Sequence, residues 1–565
     1  MGRRHGGWRE DAPYERTGAN GRLWAWLAVS MSGVCAFVFA LLHLSPWAAG
    51  WDEVDFVLAL DRYDLLAMQP HAPGYPYFIL GGRLMALWPG IDGPRALALW
   101  NLLLTASSAY PLYRLARRWL GSWSAALAAA LVLTLPMNAA LAVRAMSEGA
   151  ALALLWWYLW AAVCAAERPT TGRFLGAAWL FGLLMGTRLS YAPFGLALGW
   201  VWLAALAAGP GVEAEGRRAP GFGARAARGL LWLAGAASCQ LLWLGGMAAA
   251  EGGVGSMVAL LRSFAQGHFD RWGGGAIADP MPLSQRLLLF AGDNMLWTGS
   301  FAQRYILLGA AAWLLGCAIV AAGSAGTEPM RRVAPDERAA NRTPGQIGAP
   351  AAVRPAVRGW PARMRALAGF CRRPRPAALL VASGAAYALW ALLGQNIARP
   401  RHAAPLAALL LLGLAVTALR RRGQPRLPLA SRAALAGALL LLAAQSAEAA
   451  RLVSLQASQR PAVYRLADYA AAHMQAPAVL YTWEEERVLN YLHPDIQARP
   501  IYTYAYFLAD LRAAPDARIW LTGAVLEGFR RQGAPVEHAR LLAQFRSDAR
   551  LDPVYGTISL YEWVR

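Results

Sequence analysis

LWAWLAVSMSGVCAFVFALLHL, residues 23–44, runs directly into SPWAAGWDEVD, residues 45–55. As a helix the first stretch is long enough to cross the roughly 30 Å of bilayer hydrocarbon. It follows a polar head, residues 1–22, and reads as an uncleaved signal anchor. Three acids, Asp52, Glu53 and Asp55, stand just where that helix leaves the membrane. The same apolar character returns at 94–113, 120–141, 147–165, 229–250, 303–322, 377–395, 403–419 and 429–447, and in a pair, 174–187 and 190–208, broken at Arg188. The predicted fold is mainly α, a polytopic membrane protein with about eleven transmembrane helices.

Composition agrees. The chain of 565 residues is 57% hydrophobic and 15% charged, with mean hydropathy +0.32. Ordinary soluble proteins are about one-quarter charged, so a simple water-soluble enzyme is excluded. The net charge of +21 comes from 54 basic residues, all arginine, against 33 acids. Such an excess can mark nucleic-acid binding or cytoplasmic loops, and position decides between them. The arginines cluster in the head, at Arg114–Arg118, at Arg168 and Arg173, at Arg217–Arg228, in the loop 324–376 (eleven against three acids) and at Arg420–Arg426. Placing every cluster in the cytoplasm demands an even number of crossings between them. That parity gives eleven crossings, an extracytoplasmic C-terminus and no nucleic-acid partner. It also keeps the short helix at 75–88 in the outer leaflet. Tryptophans at the ends of apolar runs (Trp24, Trp47, Trp119, Trp160, Trp243) suit interfacial anchors.

The domains expected are a cytoplasmic tail (1–22), a transmembrane domain (23–450) and an extracytoplasmic domain (451–565). The transmembrane domain has outward loops at 45–93 and 251–302 and a Pro/Gly/Ala/Arg-rich cytoplasmic linker at 324–376. The tail holds thirteen arginines and twelve acids and no long apolar run. Strand-like AVLYTW (478–483), RIWLTG (518–523) and VYGTISLYEWV (554–564) alternate with helical stretches at 461–475, from Glu484 to Tyr491 and up to Arg531. This is a small α/β layer, with no catalytic role assigned to it. The three acids at Glu484–Glu486 suit a helix N-terminus, or a cation or sugar site. Cys35, Cys164, Cys239, Cys317 and Cys371 lack metal-ligand spacing.

Chemistry belongs in the outward loops. From Glu53 the apolar positions Val54, Val57, Leu58, Leu60, Leu65 and Leu66 describe an amphipathic helix lying on the surface, with Asp52 as its N-cap. The alternative for the acids is a general base at the bilayer rim. QPHAPGYPY (69–77) is a turn fixed by three prolines and a glycine that presents His71. FAQGHFDRWGGG (264–275) sets His268, Asp270, Arg271 and Trp272 before three glycines, either a loop closing over a sugar or an interfacial anchor.

An acid pair after the first span, an amphipathic helix and a His/Pro turn before a short apolar helix together resemble the opening of glycosyltransferase superfamily C. The likeness is to the protein O-mannosyltransferases and lipid A aminoarabinose transferases. GLLMGTRLSYAP (182–193) and GQNIARPRHAAPL (394–406) are similar to that family's helix interrupted by one basic residue and its late basic turn. The resemblance implies Asp52 as catalytic base, with Glu53 or Asp55 as alternates. It also implies substrate contacts from Asp55, His71, Tyr75, Arg188, Arg399, Arg401 and His402, to which the residues of the second outward loop add His268, Arg271 and Trp272, the last stacking on the sugar. Here a proline pair does not follow the histidine, whose neighbours are Ala72, Pro73 and Gly74. The implied activity is inverting sugar transfer from a polyprenyl-phosphate donor to a lipid, glycan or protein acceptor outside the inner membrane. No obligatory cofactor or metal is expected, with a divalent ion left open. The rival readings are a lipid-linked substrate transporter or flippase and a non-catalytic envelope assembly protein.

Overall fold

The computed structural model describes residues 19–207, 222–277, 281–323, 374–420, 428–552 and 555–564. Most of the head and of the linker 324–376 lies outside the described residues, as does Cys371. Among the described residues six helices are long and apolar enough to cross a membrane: Ser147–Glu167, Leu189–Ala207, Gly223–Ala250, Pro376–Gly394, Pro400–Leu419 and Leu429–His473. Two bent pairs, Ser122–Leu133 with Pro136–Ala142 and Leu283–Ser300 with Tyr305–Val320, make eight if each is one span. All eleven predicted segments lie on helices. Three fall outside that length criterion: the helix Ala19–Leu42 is described in full only from Ser30, Gly93–Ala116 is interrupted at Ser108, and Thr171–Thr187 has 17 residues.

Ser147–Glu167 is the central helix, with 72% of its apolar window buried in the protein, whereas only 17% of Gly223–Ala250 is buried. The latter turns its leucines outward, as a lipid-facing helix must. The central helix has two chemically distinct ends. At its C-terminal end Arg118 pairs with Glu167 at 2.8 Å and Arg173 donates to the Cys164 carbonyl. At its N-terminal end Glu148 meets Arg188 and Arg401.

The C-terminal sheet has five strands: β1 (Ala478–Thr482), β2 (Ala498–Pro500), β3 (Arg518–Thr522), β4 (Ala539–Arg546) and β5 (Thr557–Trp563). Their order is β2-β1-β3-β5-β4. β1 pairs in parallel with β2 and β3, while β5 runs antiparallel to β3 and β4. Strand alternation divides the core. Leu480, Trp520 and Leu560 face the helices Ala462–His473 and Glu486–Leu492, while Tyr481, Leu521 and Trp563 face Tyr504–Ala513 and Gly523–Arg531. The predicted β1, β3 and β5 are in place. β2, β4 and the helix Tyr504–Ala513 were not anticipated.

The expected surface helix is not on the surface. Trp51–Asp61 is packed among the helices Pro76–Ala86, Gly93–Ser107 and Glu486–Leu492, with Val54, Phe56 and Ala59 fully buried. Its N-cap is Gly50, not Asp52. Glu53 reaches back to accept hydrogen bonds from the Ala49 and Gly50 amides at 2.7 and 2.9 Å, satisfying donors that the first helical turn leaves free. The same carboxylate is paired with Arg144, whose Nη1 donates to the Leu551 carbonyl at 2.6 Å. Glu53→Ala is expected to cost about 3–5 kcal/mol, because it removes the cap and strands a largely buried guanidinium. A fall in melting temperature in detergent, absent in an exposed control such as Glu527→Ala, checks it.

Candidate active site

A cavity of about 110 Å³ opens where the start of Trp51–Asp61, the turn 399–401 and the C-terminal domain converge. Asp52, Glu53, Glu484 and Asp552 line it together with Arg144, Arg399, Arg401 and Arg550. Arg401 is the hub. Its Nη2 donates to Asp52 Oδ2 at 2.6 Å, and its Nε faces Glu148 Oε1 at 2.6 Å. Glu148 also holds Arg188 at 3.0 Å, and Arg188 Nη1 donates to Ser147 Oγ at 2.8 Å. One carboxylate in the bundle is thus shared by two guanidiniums, and a chain of three ion pairs runs from Arg188 to Asp52, two acids balancing two arginines. Arg399 joins Glu484 and donates to the Tyr555 hydroxyl at 3.1 Å.

The three candidate acids have different surroundings. Glu53 is 1% exposed and spent on the cap and on Arg144. Asp55 is 0% exposed, held by His71 Nδ1 at 3.0 Å and Arg487 Nε at 2.7 Å. Burial pushes the Asp55 carboxyl up despite His71 and Arg487. The Asp52 side chain keeps one-third of its surface open. Burial raises its pKa, but Arg401, His71, Arg399 and Arg188 outweigh that and hold it well below the usual carboxylate range.

The turn 69–77 is built as read. Gly74 adopts φ +97°, and a Cβ there would collide with the Tyr63 hydroxyl. His71 is buried between Asp55 and the Tyr75 hydroxyl, 3.0 Å from each. Burial lowers its pKa, and the Asp55 hydrogen bond and the Asp52 charge more than reverse this, leaving it raised. His71 and Tyr75 thus support the loop and are not among the cavity's lining residues. His402 is buried, its carbonyl accepting from Tyr387 at 2.9 Å.

His268 lies farther off, stacked on Phe264, which stacks on His71. Arg271 and Trp272 end the same π-helical turn, His268–Trp272, and their side chains are outside the described set. The glycines after it serve close packing: a Cβ at Gly274 would sit 2.7 Å from Asn396 Cγ, and one at Gly275 3.2 Å from the Leu393 carbonyl. Among the described residues no group of three or more His, Cys, Asp or Glu side chains is placed to hold a metal ion.

Sequence reasoning missed Glu148, Arg144, Tyr555 and Asp552, and named Glu484 only among three acids that suit a helix N-terminus or a cation or sugar site. Glu148 carried a signal, an acid one residue inside an apolar span. The others come from a domain or a turn given no part in the site. Asp552 is 8% exposed; its Oδ1 accepts from the Tyr555 amide at 3.3 Å, and its Oδ2 has no hydrogen-bond partner among the described residues. Burial raises its pKa to about 6 against Arg144, with Glu53 adding to the rise and Arg399 and Arg401 opposing it. Because the ordinary value is 3.8, the folded chain holds this proton more tightly than the unfolded chain. Asp552 therefore adds stability at low pH that is lost as pH rises from about 4 through 6. Asp552→Asn is expected to remove that component, so the difference in melting temperature between variant and parent grows over this window and is flat above it.

Residues 70–209, 140 of the chain's 565, match the model of the family described as dolichyl-phosphate-mannose-protein mannosyltransferase. The matched segment holds His71, Glu148 and Arg188 and begins after Asp52. Among solved structures the chain is similar to ArnT from Cupriavidus metallidurans bound to undecaprenyl phosphate, at 12% identity over 97% of this chain and 98% of that one, TM-score 0.48. It is similar to the Archaeoglobus fulgidus oligosaccharyltransferase tethered with an acceptor peptide, at 13% identity over 95% and 74%, TM-score 0.48. It is also similar to the mycobacterial arabinofuranosyltransferase AftD, at 16% identity over 96% and 40%, TM-score 0.41. No curated protein sequence matches the chain. From 70 to 209 this protein is similar to the dolichyl-phosphate-mannose-protein mannosyltransferases, which bears out over that segment the resemblance to the protein O-mannosyltransferases.

Proposed function

We propose that this chain is an inverting membrane glycosyltransferase. It moves a sugar from a polyprenyl-phosphate donor to an acceptor on the extracytoplasmic side of the inner membrane, with eleven crossings, an inside N-terminus and an outside C-terminus. The observation that carries the reading is the cavity in which Asp52, the most open of the three acids, meets Arg399 and Arg401. The separation of Glu148 and its arginines from the Arg118–Glu167 end of the central helix supports the orientation.

Asp52 takes the proton from the acceptor O–H or N–H as that atom attacks the anomeric carbon. The anomeric C–O bond to phosphate breaks on the opposite face, and polyprenyl phosphate leaves as an anion. Preorganised guanidiniums stabilise the charge that develops on it. The lowered pKa of unliganded Asp52 fits a sequence of events. A donor phosphate competes for Arg401, and once Arg401 turns to the phosphate, Asp52 loses the partner that depressed its basicity. Donor binding thereby arms the base. Glu53 and Asp55 are structural, one a cap and one a clasp for His71 and Arg487.

The test is product analysis on purified protein in liposomes supplied with polyprenyl-phosphate sugar and acceptor. Stoichiometric release of free polyprenyl phosphate with glycosylated acceptor supports the reading. Movement of intact donor between leaflets with no release of polyprenyl phosphate identifies a flippase instead.

A further inference from the structure

We propose that the C-terminal domain holds the acceptor subsite, a cleft at the carboxyl ends of β1 and β3 that takes a saccharide and leads it to Asp52. The inference rests on the sugar-transfer reading above and names its acceptor class.

The topology makes the cleft. From β1 the chain crosses to β2 through Glu486–Leu492 on one face of the sheet. It returns past β1 to β3 through Tyr504–Ala513 on the other face. The loops leaving β1 and β3 therefore part in opposite directions. In parallel α/β sheets such a switch point leaves a crevice beyond the strand ends. Here the crevice measures about 340 Å³ and is bounded by Trp483 and Glu484 after β1, Gly523 and Glu527 after β3, and Tyr555 and Ser559 beside β5. It adjoins the catalytic cavity, Glu484 and Tyr555 lining both.

Its chemistry is that of a sugar site. Trp483 is 41% exposed, its indole braced edge-on by Tyr502 with centroids 4.7 Å apart, which leaves an aromatic surface for the C–H face of a pyranose. Glu485 is buried and shapes the loop, accepting from the Thr482 hydroxyl at 2.7 Å and the Trp483 amide at 3.1 Å. Glu484 and Glu527 then supply acceptors for hydroxyl groups. Arg399 pairs with Glu484, and Arg530 and Arg531 pair with Glu527, so the cleft holds no unpaired cationic cluster for an anionic ligand among the described residues. β1 and β3 are interior strands, so no sheet edge is offered there for a peptide to extend.

The experiment is saturation-transfer NMR on the full chain in nanodiscs, with maltotetraose and chitotetraose as saccharide probes and a Ser/Thr-containing tetrapeptide as comparison. Saturation of at least one saccharide is expected. It should weaken about tenfold or more in Trp483→Ala and persist in Trp483→Phe, which keeps the ring. Trp483 is exposed enough that the alanine variant keeps its melting temperature. No saccharide signal, an undiminished signal in Trp483→Ala, or preference for the peptide overturns the proposal. Binding should be intact in Asp52→Asn. If Asp52→Asn also retains full transfer, the proposed function fails while the saccharide subsite stands.

Discussion

Asp52→Asn is expected to lower kcat for sugar transfer by about a hundred- to ten-thousandfold, the range removed with a positioned general base. The asparagine keeps the size and one oxygen of the side chain but no longer accepts a proton. Donor affinity should not weaken with it. Arg401 loses its carboxylate partner on this side and retains Glu148, so a donor phosphate meets less competition. A drop in kcat with an unchanged or lower donor KM, at an unchanged melting temperature, marks a residue acting in the transition state. A purely structural Asp52 would show the reverse, a lower melting temperature with kcat preserved in the folded fraction.

The second large effect is on folding. Glu148 is 1% exposed and faces both Arg188 and Arg401. Glu148→Ala leaves the buried Arg188 without its counter-charge and Arg401 with Asp52 alone, and removing one partner of a buried pair costs about 3–5 kcal/mol. Loss of most folded protein in detergent is the expected outcome, read by size-exclusion profile and thermal melting. Glu148→Gln should recover part of the yield by restoring a hydrogen-bond acceptor. It should still bind donor abnormally, because Arg401 is then held less firmly in position.

Much of the helical architecture was legible because apolar length is the dominant physical constraint in lipid. No backbone group in hydrocarbon finds water, so each crossing must be helical over most of its length, with breaks only where protein covers them. Trp51–Asp61 was foreseen as a helix from its apolar spacing, but its burial was not. What covers it is Glu486–Leu492, brought in by Arg487 reaching Asp55 across more than four hundred residues of chain. Sequence periodicity carries no trace of such a partner. The role of Asp52 as N-cap failed for a local reason: Gly50 adopts the extended cap conformation and Glu53 reaches back from the third helical position. That exchange is what leaves Asp52 turned toward Arg401.

In the site, Arg399 and Arg401 were picked out as basic residues before an outward turn, and both line the cavity with Asp52. Arg188 was picked out as a lone charge in apolar sequence, and it is buried one carboxylate away. The glycines at 273–275 suggested mobility because glycine permits it. They serve instead to let the backbone approach Asn396 and Leu393. The contribution of the C-terminal domain was hard to see because Asp552 and Tyr555 look like ordinary surface residues, and Glu484 like one of three acids at a helix start, until the sheet sets its strand ends above the membrane helices.

The account stands on one spatial relation, and a structure of the protein with bound polyprenyl phosphate tests it directly. The prediction is a phosphate within hydrogen-bond distance of Arg401 or Arg399, with the Arg401–Asp52 pair opened and Asp52 facing the space a sugar would occupy. A headgroup bound at the Arg118 and Arg173 end of the bundle, or one that leaves Asp52 locked to Arg401, would contradict it.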